Sequence, residues 1–183
     1  AFKSTVGSDR LFLYDHFGSL DSDNLLSHIR FLALALDTEV IVLDHLSIVV
    51  SGMGDGDERR MIDNTMTKLR SLVEETNIAL ILVSHLKRPE GRGHEEGATT
   101  SLAQLRGSAG IAQLSDMVIG LERNQQDAEE RNKTQLRVLK NRFSGQTGIA
   151  CSLDFDIETG LLTEDIANEF NNETKTKNSE DSI

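Results

Sequence analysis

The run Val40-Ile41-Val42-Leu43-Asp44 decides the fold of this chain. Four successive apolar residues, most of them β-branched, predict a strand that is buried on both faces, as strands of a parallel sheet are. The aspartate that follows then lies at the carboxyl edge of the sheet, where folds of this kind bind their ligands. A carboxylate in that position can hold the magnesium ion of a bound nucleotide, or it can cap the turn after the strand.

Helices alternate with apolar runs on either side of this strand. We expect strands at residues 11–14 and 78–83, a helix that begins at Asp21 or Ser22, and a second helix over residues 55–76. Both helices carry an apolar stripe at helical spacing. The stripes are Leu25, Ile29, Leu32 and Leu36 in the first helix and Ile62, Met66, Leu69 and Val73 in the second. This alternation predicts an α/β fold with a mostly parallel, twisted sheet covered by helices on both faces.

The second half of the chain begins with a polar segment over residues 87–100 that contains Gly91, Gly93 and Gly97. It is too polar to pack into a core, so we predict a mobile functional loop. A helix over residues 101–114, broken near residues 107–110, should follow. Further strands are expected at residues 117–121, 135–139 and 150–155. The glycine-containing turn at residues 144–148 joins the last two strands as a C-terminal antiparallel hairpin.

Composition limits the location and the partners of the protein. The formal net charge is −11, Cys151 is the one cysteine, and no apolar stretch approaches the length of a membrane span, roughly 18 residues. We therefore expect a soluble cytoplasmic protein without a disulfide. The acidic balance argues against a surface coated for nucleic-acid binding, but not against a local basic site. We predict that residues 165–183 form an acidic, disordered tail.

Two further groups of residues could act on a phosphate. Ser84-His85 ends the second apolar strand, and His85 could sense a nucleotide phosphate or be purely structural. Lys140-Asn141-Arg142 ends a later strand, where an arginine could bind a phosphoryl group, even from a neighbouring subunit, or remain a solvated surface residue. No G-x-x-x-x-G-K-[ST] loop occurs in the chain, so nothing in it would cradle a triphosphate.

In their order along the chain, these motifs resemble those of the hexameric primase-helicases of bacteriophages. Cellular replicative helicases and the mitochondrial helicase share a looser version of the pattern. The resemblance extends from about residue 11 to residue 162, and it is the ordered combination that is specific. The motifs are residues 40–51 and 57–64, Ser84-His85-Leu86-Lys87, His94-Glu95-Glu96-Gly97, Leu105-Arg106-Gly107-Ser108, Gln113-Leu114-Ser115-Asp116, residues 121–126, and Lys140-Asn141-Arg142-Phe143.

The resemblance implies a RecA-like P-loop NTPase core with a nucleotide site shared between subunits. It makes Asp44 the ligand of Mg²⁺ and His85 the sensor of the γ-phosphate. It makes Arg142, helped by Lys140, an arginine finger that reaches the nucleotide of the adjacent subunit. Gln113 matches a glutamine that the family places near the nucleotide and the subunit interface.

The resemblance also implies a base site and a DNA site. Arg123 and Phe155 would stack on the nucleotide base, and Phe155 stands where a tyrosine is typical, so a phenolic hydrogen bond would be lost. Arg106-Gly107-Ser108 would contact single-stranded DNA, with Lys87 in support. A cation followed by small residues suits this role, because backbone amides can then approach the phosphates.

These expectations describe one subunit of a homo-hexameric ring that hydrolyses NTPs or dNTPs with Mg²⁺ and moves 5′ to 3′ along single-stranded DNA. Residues 1–164 would form the C-terminal part of the helicase domain, with the phosphate-binding loop upstream. The tail over residues 165–183 would dock the replicative DNA polymerase or simply keep the protein soluble, in the cytoplasm of a phage-infected host cell. The alternatives are a RecA-type recombinase and a truncated core that no longer binds nucleotide.

Overall fold

The computed structural model describes residues 6–8, 10–14, 22–47, 58–89, 91–105 and 109–164. The elements in chain order are α1 (Ser22–Ala35), β1 (Val40–Leu43), α2 (Glu58–Thr76), β2 (Ala79–Leu82), α3 (Ala109–Leu114), β3 (Met117–Glu122), β4 (Lys133–Asn141), β5 (Gly148–Phe155) and β6 (Leu162–Glu164). Short 3₁₀ helices lie at Val6–Ser8 and Leu102–Gln104. The expected alternation of helices and strands is confirmed from α1 to β3. None of the described helices is long and apolar enough to cross a membrane.

β1 and β2 form a parallel pair in which Val40 lies opposite Ala79 and Leu43 lies opposite Leu82. Successive side chains of a strand point to opposite faces, so every second residue faces α1 and α2. The side chains on that face pack against a cluster formed by both helices and the residue before β2. The buried members of the cluster are Leu25, Ile29, Leu69, Leu72 and Ile78. Each such side chain stabilises the fold by about 1.5–3 kcal/mol.

The other face of the parallel pair is more exposed than the sequence predicted. Continuous apolar runs predicted strands buried on both faces, yet Val40, Val42 and Ile81 are 53%, 61% and 54% exposed. Within the described residues, helices cover one face of this pair. The runs are apolar at every position, but a strand face is buried only where another layer of the protein lies against it.

A second apolar cluster connects the parallel pair to the rest of the chain. Its buried side chains come from the segment after β1, from α2, from the residue after the second 3₁₀ helix and from α3: Leu46, Ile62, Met66, Leu105 and Ile111. Leu82 of β2 and Val118 of β3 pack against it. This cluster places α3 and the beginning of β3 beside α2.

β3, β4, β5 and β6 form an antiparallel sheet in that order. The sequence analysis expected one closing hairpin, whereas four of the six described strands are antiparallel. Register shifts occur between Val118 and Ile119 and between Leu136 and Arg137. The predicted strands were correct in type but too short: β4 and β5 each extend beyond the expected range because both have partners on two sides.

Two segments differ from their predicted secondary structure. Residues 11–14 form no strand, so that prediction was wrong; their side chains are 45–79% exposed. An apolar run becomes a strand when a neighbour binds its backbone groups, and these residues pair with no described strand. The helix expected over residues 101–114 is divided into the second 3₁₀ helix and α3, and α3 begins at Ala109, within the range predicted for the break.

Candidate functional site

The carboxyl ends of β1 and β2 bring two predicted site residues to one edge of the parallel pair. The Val83 amide donates to the Leu43 carbonyl at 3.0 Å, so the chain leaves both strands side by side. Asp44 follows β1 directly. The His85 ring lies 4.2 Å from the ring of His45, edge to face. Asp44 and His85 are both exposed at this edge.

The Asp44 carboxylate is suited to magnesium. Mg²⁺ prefers oxygen ligands, and at phosphate sites it is bound through one or two carboxylates while it keeps several waters. Asp44 is exposed and accepts no hydrogen bond from the residues that the structure describes, so its oxygens are available. The same residues contain no group of three or more His, Cys, Asp or Glu side chains that could hold a metal. A metal ion at Asp44 would need further oxygens from a nucleotide or from water.

Arg142 lies at the end of β4, in contact with the segment between α3 and β3. Its Nη1 is 3.0 Å from Oδ1 of Asp116, and its Nη2 donates to the Gln113 carbonyl at 3.1 Å. Oδ2 of Asp116 accepts a 2.5 Å hydrogen bond from Nη1 of Arg70 on α2. We call Arg70, Asp116 and Arg142 the Asp116 cluster. Hydrogen bonds to the carboxylates of Asp116 and Glu74 raise the pKa of Arg70 above its ordinary value.

Lys140 binds the C-terminal end of α3. Its Nζ donates to the carbonyls of Ala112, Gln113 and Ser115 at 2.7, 3.1 and 2.8 Å. An ammonium group has three protons, and the last carbonyls of a helix carry partial negative charge, so the two match in number and in sign. The structure therefore brings Gln113, Lys140 and Arg142 together, but through the backbone carbonyl of Gln113.

Arg123 and Phe155 also lie together, as the resemblance implied. The guanidinium carbon of Arg123 is 5.7 Å from the centroid of the Phe155 ring. Arg123 Nε donates to the Arg131 carbonyl, and the Phe155 amide donates to the Asn132 carbonyl at 2.8 Å. The turn between β3 and β4 thus holds both side chains in place. A cation above an aromatic ring offers two flat surfaces on which a nucleotide base can stack.

Arg123 and Phe155 lie at one end of the antiparallel sheet, and Arg142 lies at the other end. Glu122, next to Arg123, pairs with Gln135 near the start of β4, whereas Arg142 follows the end of β4. Gln135 and Arg142 are seven positions apart. This corresponds to roughly 23 Å at ~3.3 Å per residue of strand.

A buried polar group that the sequence analysis did not single out joins the loop over residues 87–100 to the same sheet. Glu122 is 8% exposed and accepts hydrogen bonds from the amide and the hydroxyl of Thr100 at 2.7 and 2.8 Å. Arg137 Nε donates to the same carboxylate at 2.8 Å. Burial acts to raise the pKa of the Glu122 carboxyl, but the hydrogen bonds from Arg137 and Thr100 outweigh it, so this pKa lies below its ordinary value. A Cβ on Gly120 would lie 2.1 Å from the Thr100 hydroxyl, so glycine is required there.

The segments predicted to bind DNA begin next to each other. Leu86 pairs with Leu105, and the Lys87 amide donates to the Gln104 carbonyl at 2.7 Å. Lys87 is exposed. The predicted contacts Arg106, Gly107 and Ser108 lie outside the described residues.

The predicted loop is attached to the sheet at its acidic part. Glu96 pairs with Asn124, and the Gln125 amide donates to the Glu95 carbonyl at 2.8 Å. The Glu96 carboxylate accepts a hydrogen bond from the Gly93 amide at 3.0 Å. The two glutamates therefore lie toward the turn between β3 and β4.

The chain is similar to known proteins. Residues 3–162 match the family model described as the DnaB-like helicase C terminal domain. The chain is 47% identical over 162 residues to the DNA helicase/primase of Enterobacteria phage T3, an alignment that covers 88% of this chain and 28% of that protein. It is 30% identical over 104 residues to the replicative DNA helicase DnaB of Treponema pallidum (strain Nichols), covering 57% of this chain and 22% of that protein. The chain spans about a quarter of the length of these relatives.

One solved structure, of a DnaB-like replicative helicase and its interactions with primase, is similar in fold. It superposes with a TM-score of 0.67 at 20% sequence identity and covers 82% of this chain and 36% of that chain. This match confirms the α/β, RecA-like fold class that the sequence predicted.

Proposed function

Since the chain belongs to the family of DnaB-like helicase C-terminal domains, we propose that it is part of the motor of a ring-shaped replicative DNA helicase. In this proposal the protein forms a homo-hexamer, hydrolyses NTPs or dNTPs with Mg²⁺, and moves 5′ to 3′ along single-stranded DNA while it unwinds the duplex. Membership of this family favours a helicase over a RecA-type recombinase.

The separation of Arg123 from Arg142 is the observation that carries the proposal. About 23 Å along the sheet lie between the residues assigned to the base and the residue assigned to the phosphoryl group. This distance is difficult for one bound nucleotide to span, and it favours two different nucleotides. Arg142 would then act on the nucleotide of a neighbouring subunit, which is why a ring is needed for hydrolysis.

At the edge of the parallel pair, the exposed Asp44 carboxylate would bind Mg²⁺ together with the phosphates of this subunit's own nucleotide. The ion would supply positive charge to the phosphate oxygens. His85, close to the same edge, would donate a hydrogen bond to the γ-phosphate. Because His85 directly precedes Leu86 and Lys87, a change at the phosphate could be passed to the DNA-binding segments.

The DNA contacts in this proposal are Lys87 and the neighbouring Arg106, Gly107 and Ser108. The contact between the two segments supports it: the Lys87 amide donates to the Gln104 carbonyl at 2.7 Å, so the exposed Lys87 lies next to the segment that leads to Arg106. These cations would contact DNA phosphates. Binding should then be independent of sequence and should weaken as salt rises.

Further parts of the proposal concern the division of the chain, its tail and its location. Residues 1–164 would belong to the helicase domain, and the acidic tail over residues 165–183 would bind a basic surface of the replicative DNA polymerase. The location would be the cytoplasm of a phage-infected host cell. The function also needs a phosphate-binding loop, which the 183 residues do not contain, so the experiments below use the full-length protein.

The decisive test of the function is hydrolysis by mixed rings. Arg142→Ala should leave nucleotide binding nearly unchanged and should lower DNA-stimulated hydrolysis on the order of 10³-fold, as the loss of an arginine finger does. Asp44→Asn should also inactivate the protein. Mixed rings of the two variants contain interfaces with an intact Asp44 from one subunit and an intact Arg142 from the next. We therefore expect partial recovery of hydrolysis upon mixing.

Three controls make the result interpretable. Arg30→Ala removes another exposed arginine, the partner of Glu75, and should leave hydrolysis unchanged. Wild-type rings that contain one inactive subunit must retain activity, and hybrid rings must be shown to form. If both conditions hold and the mixture remains inactive, the assignment of Arg142 to the neighbouring subunit's nucleotide is wrong.

A further inference from the structure

Asp116 lies between two arginines and binds one with each oxygen of its carboxylate. Oδ1 is 3.0 Å from Nη1 of Arg142, and Oδ2 is 2.5 Å from Nη1 of Arg70. Arg70 is held a second time, because its Nε lies 2.8 Å from Oε1 of Glu74 one helical turn further along α2. With both oxygens engaged, the Asp116 carboxylate has little freedom to rotate.

The backbone connects Asp116 and Arg142 as well. The Arg142 amide donates to the Asp116 carbonyl at 2.8 Å, next to the pair of Met117 and Asn141 that closes β3 against β4. Asp116 precedes β3 and Arg142 follows β4, so the two side chains start from adjacent points at one end of the sheet. The double connection defines both the origin and the direction of the Arg142 side chain.

Exposure increases from the inside to the outside of the Asp116 cluster. The side chains of Arg70, Asp116 and Arg142 are 29%, 33% and 46% exposed. Apart from the groups bound to Asp116 and Gln113, the Arg142 guanidinium has N–H groups with no partner in the described part of the chain. These groups are available to phosphate oxygens. An ion pair this exposed adds little to stability, so its main consequence is the position of the guanidinium.

We propose that Asp116 is a positioning residue for Arg142, and that Arg70 on α2 orients the Asp116 carboxylate. The inference rests on the proposed role of Arg142 as an arginine finger. A finger stabilises charge that develops in the transition state, and it does so best when it is already in place. The ligand that this arrangement serves is the γ-phosphoryl group of a nucleoside triphosphate bound to a second copy of the chain.

The first experiment compares Asp116→Asn with Glu74→Gln in the full-length protein. Both changes neutralise a carboxylate on Arg70, but only Asp116 contacts Arg142. Asp116→Asn should lower kcat of DNA-stimulated ATP hydrolysis roughly 10- to 100-fold, the size expected from misplacing a catalytic group, with KM unchanged. Glu74→Gln should leave both constants unchanged, and Arg70→Gln should lower kcat by a smaller factor than Asp116→Asn.

The second experiment separates positioning from a general structural effect. If Asp116 acts through Arg142, then Asp116→Asn has no further effect in the Arg142→Ala background, measured in single turnovers. Mixing Asp116→Asn with Asp44→Asn should also give more hydrolysis than the weighted mean of the two variants measured separately. The reason is that Asp116→Asn impairs the arginine finger and leaves the nucleotide site of its own subunit intact.

The outcomes separate this inference from the proposed function. If Arg142→Ala and Asp44→Asn complement each other but Asp116→Asn and Asp44→Asn do not, Asp116 does not position the finger. An equal loss from Asp116→Asn with and without Arg142 would overturn the inference in the same way. If Arg142→Ala itself fails to complement Asp44→Asn, the role of Arg142 in the proposed function is what fails.

Discussion

The parallel pair and the antiparallel sheet hold their candidate functional side chains in different ways. At the edge of β1 and β2, Asp44 and His85 are exposed in the segments that follow the two strands, and these strands are held by apolar packing of one face against α1 and α2. At the end of β4, Arg142 is bound by Asp116, and Lys140 is bound by three backbone carbonyls. Charged groups therefore contribute to the fold in the second sheet, while those of the first remain available to a ligand.

This difference separates activity from stability. Side chains that are exposed and unengaged can be changed without affecting the folded state, so substitutions at the parallel pair should alter activity alone. Side chains that bind backbone carbonyls or opposite charges stabilise the structure around them. Substitutions in the antiparallel sheet should therefore alter stability, with or without an effect on activity.

The largest expected effect is at Asp44. Asp44→Asn removes the charge that would bind Mg²⁺, and bound metal ions contribute several kcal/mol to the stabilisation of a phosphoryl-transfer transition state. Hydrolysis by the full-length protein should fall by about three orders of magnitude, since 1.4 kcal/mol corresponds to roughly a factor of ten. The Tm should not change.

A matched control is Asp37→Asn, an exposed aspartate in the loop before β1 with a φ of 53°, a conformation that asparagine also adopts. It should change neither hydrolysis nor the Tm. A large loss of stability in Asp44→Asn would contradict the contrast between the two sheets, because it would mean that the Asp44 carboxylate supports the fold.

The second effect is on stability, at the buried carboxylate of Glu122. Glu122→Gln leaves the Arg137 guanidinium without its opposite charge in a site where the Glu122 side chain is 7% exposed. Breaking a buried ion pair from one side costs about 3 kcal/mol or more. Denaturant unfolding should show this loss, while Glu129→Gln, the same change at an exposed carboxylate, should have no effect.

The stability difference between the parent protein and Glu122→Gln should depend on pH, because folding lowers the pKa of Glu122. The folded state lowers the pKa of Glu122 from its ordinary value of 4.5, so the Glu122 carboxylate contributes its full stabilisation above that pH. It is lost as the pH falls through the lower, folded-state pKa. The stability difference between the parent protein and Glu122→Gln should stay constant near neutral pH and shrink in acid. A difference that grows in acid would contradict the assignment.

The smallest of the three effects is at Lys140. Lys140→Met removes the hydrogen bonds to the C-terminal carbonyls of α3, which are partly exposed and can bind water instead. The loss of stability should be about 1–2 kcal/mol. Lys140→Arg should restore most of it, because arginine can also donate to these carbonyls. If Lys140→Met unfolds at the same denaturant concentration as the parent protein, Lys140 does not stabilise the antiparallel sheet.

Local sequence patterns were sufficient to predict much of the fold and the positions of two candidate site residues. Apolar runs that end in polar residues predicted both strands of the parallel pair, and the stripe of α2 predicted its buried face. Asp44 and His85 could be located because they directly follow such runs. The strand at residues 11–14 was wrong because an apolar run does not reveal whether a partner strand lies beside it.

The sequence by itself determined the alternation of elements, the family resemblance and the residues that follow each strand, because these depend on spacing along the chain. The tertiary structure alone decided which charges meet. Arg70 and Asp116 are 46 positions apart, Thr100 and Glu122 are 22 apart, and Glu122 and Arg137 are 15 apart. A carboxylate attracts whichever cation the fold places within a few ångströms, and no local period in the sequence records that distance. The same reason applies to the uncovered face of β1 and β2, since burial depends on the layer that lies against a strand.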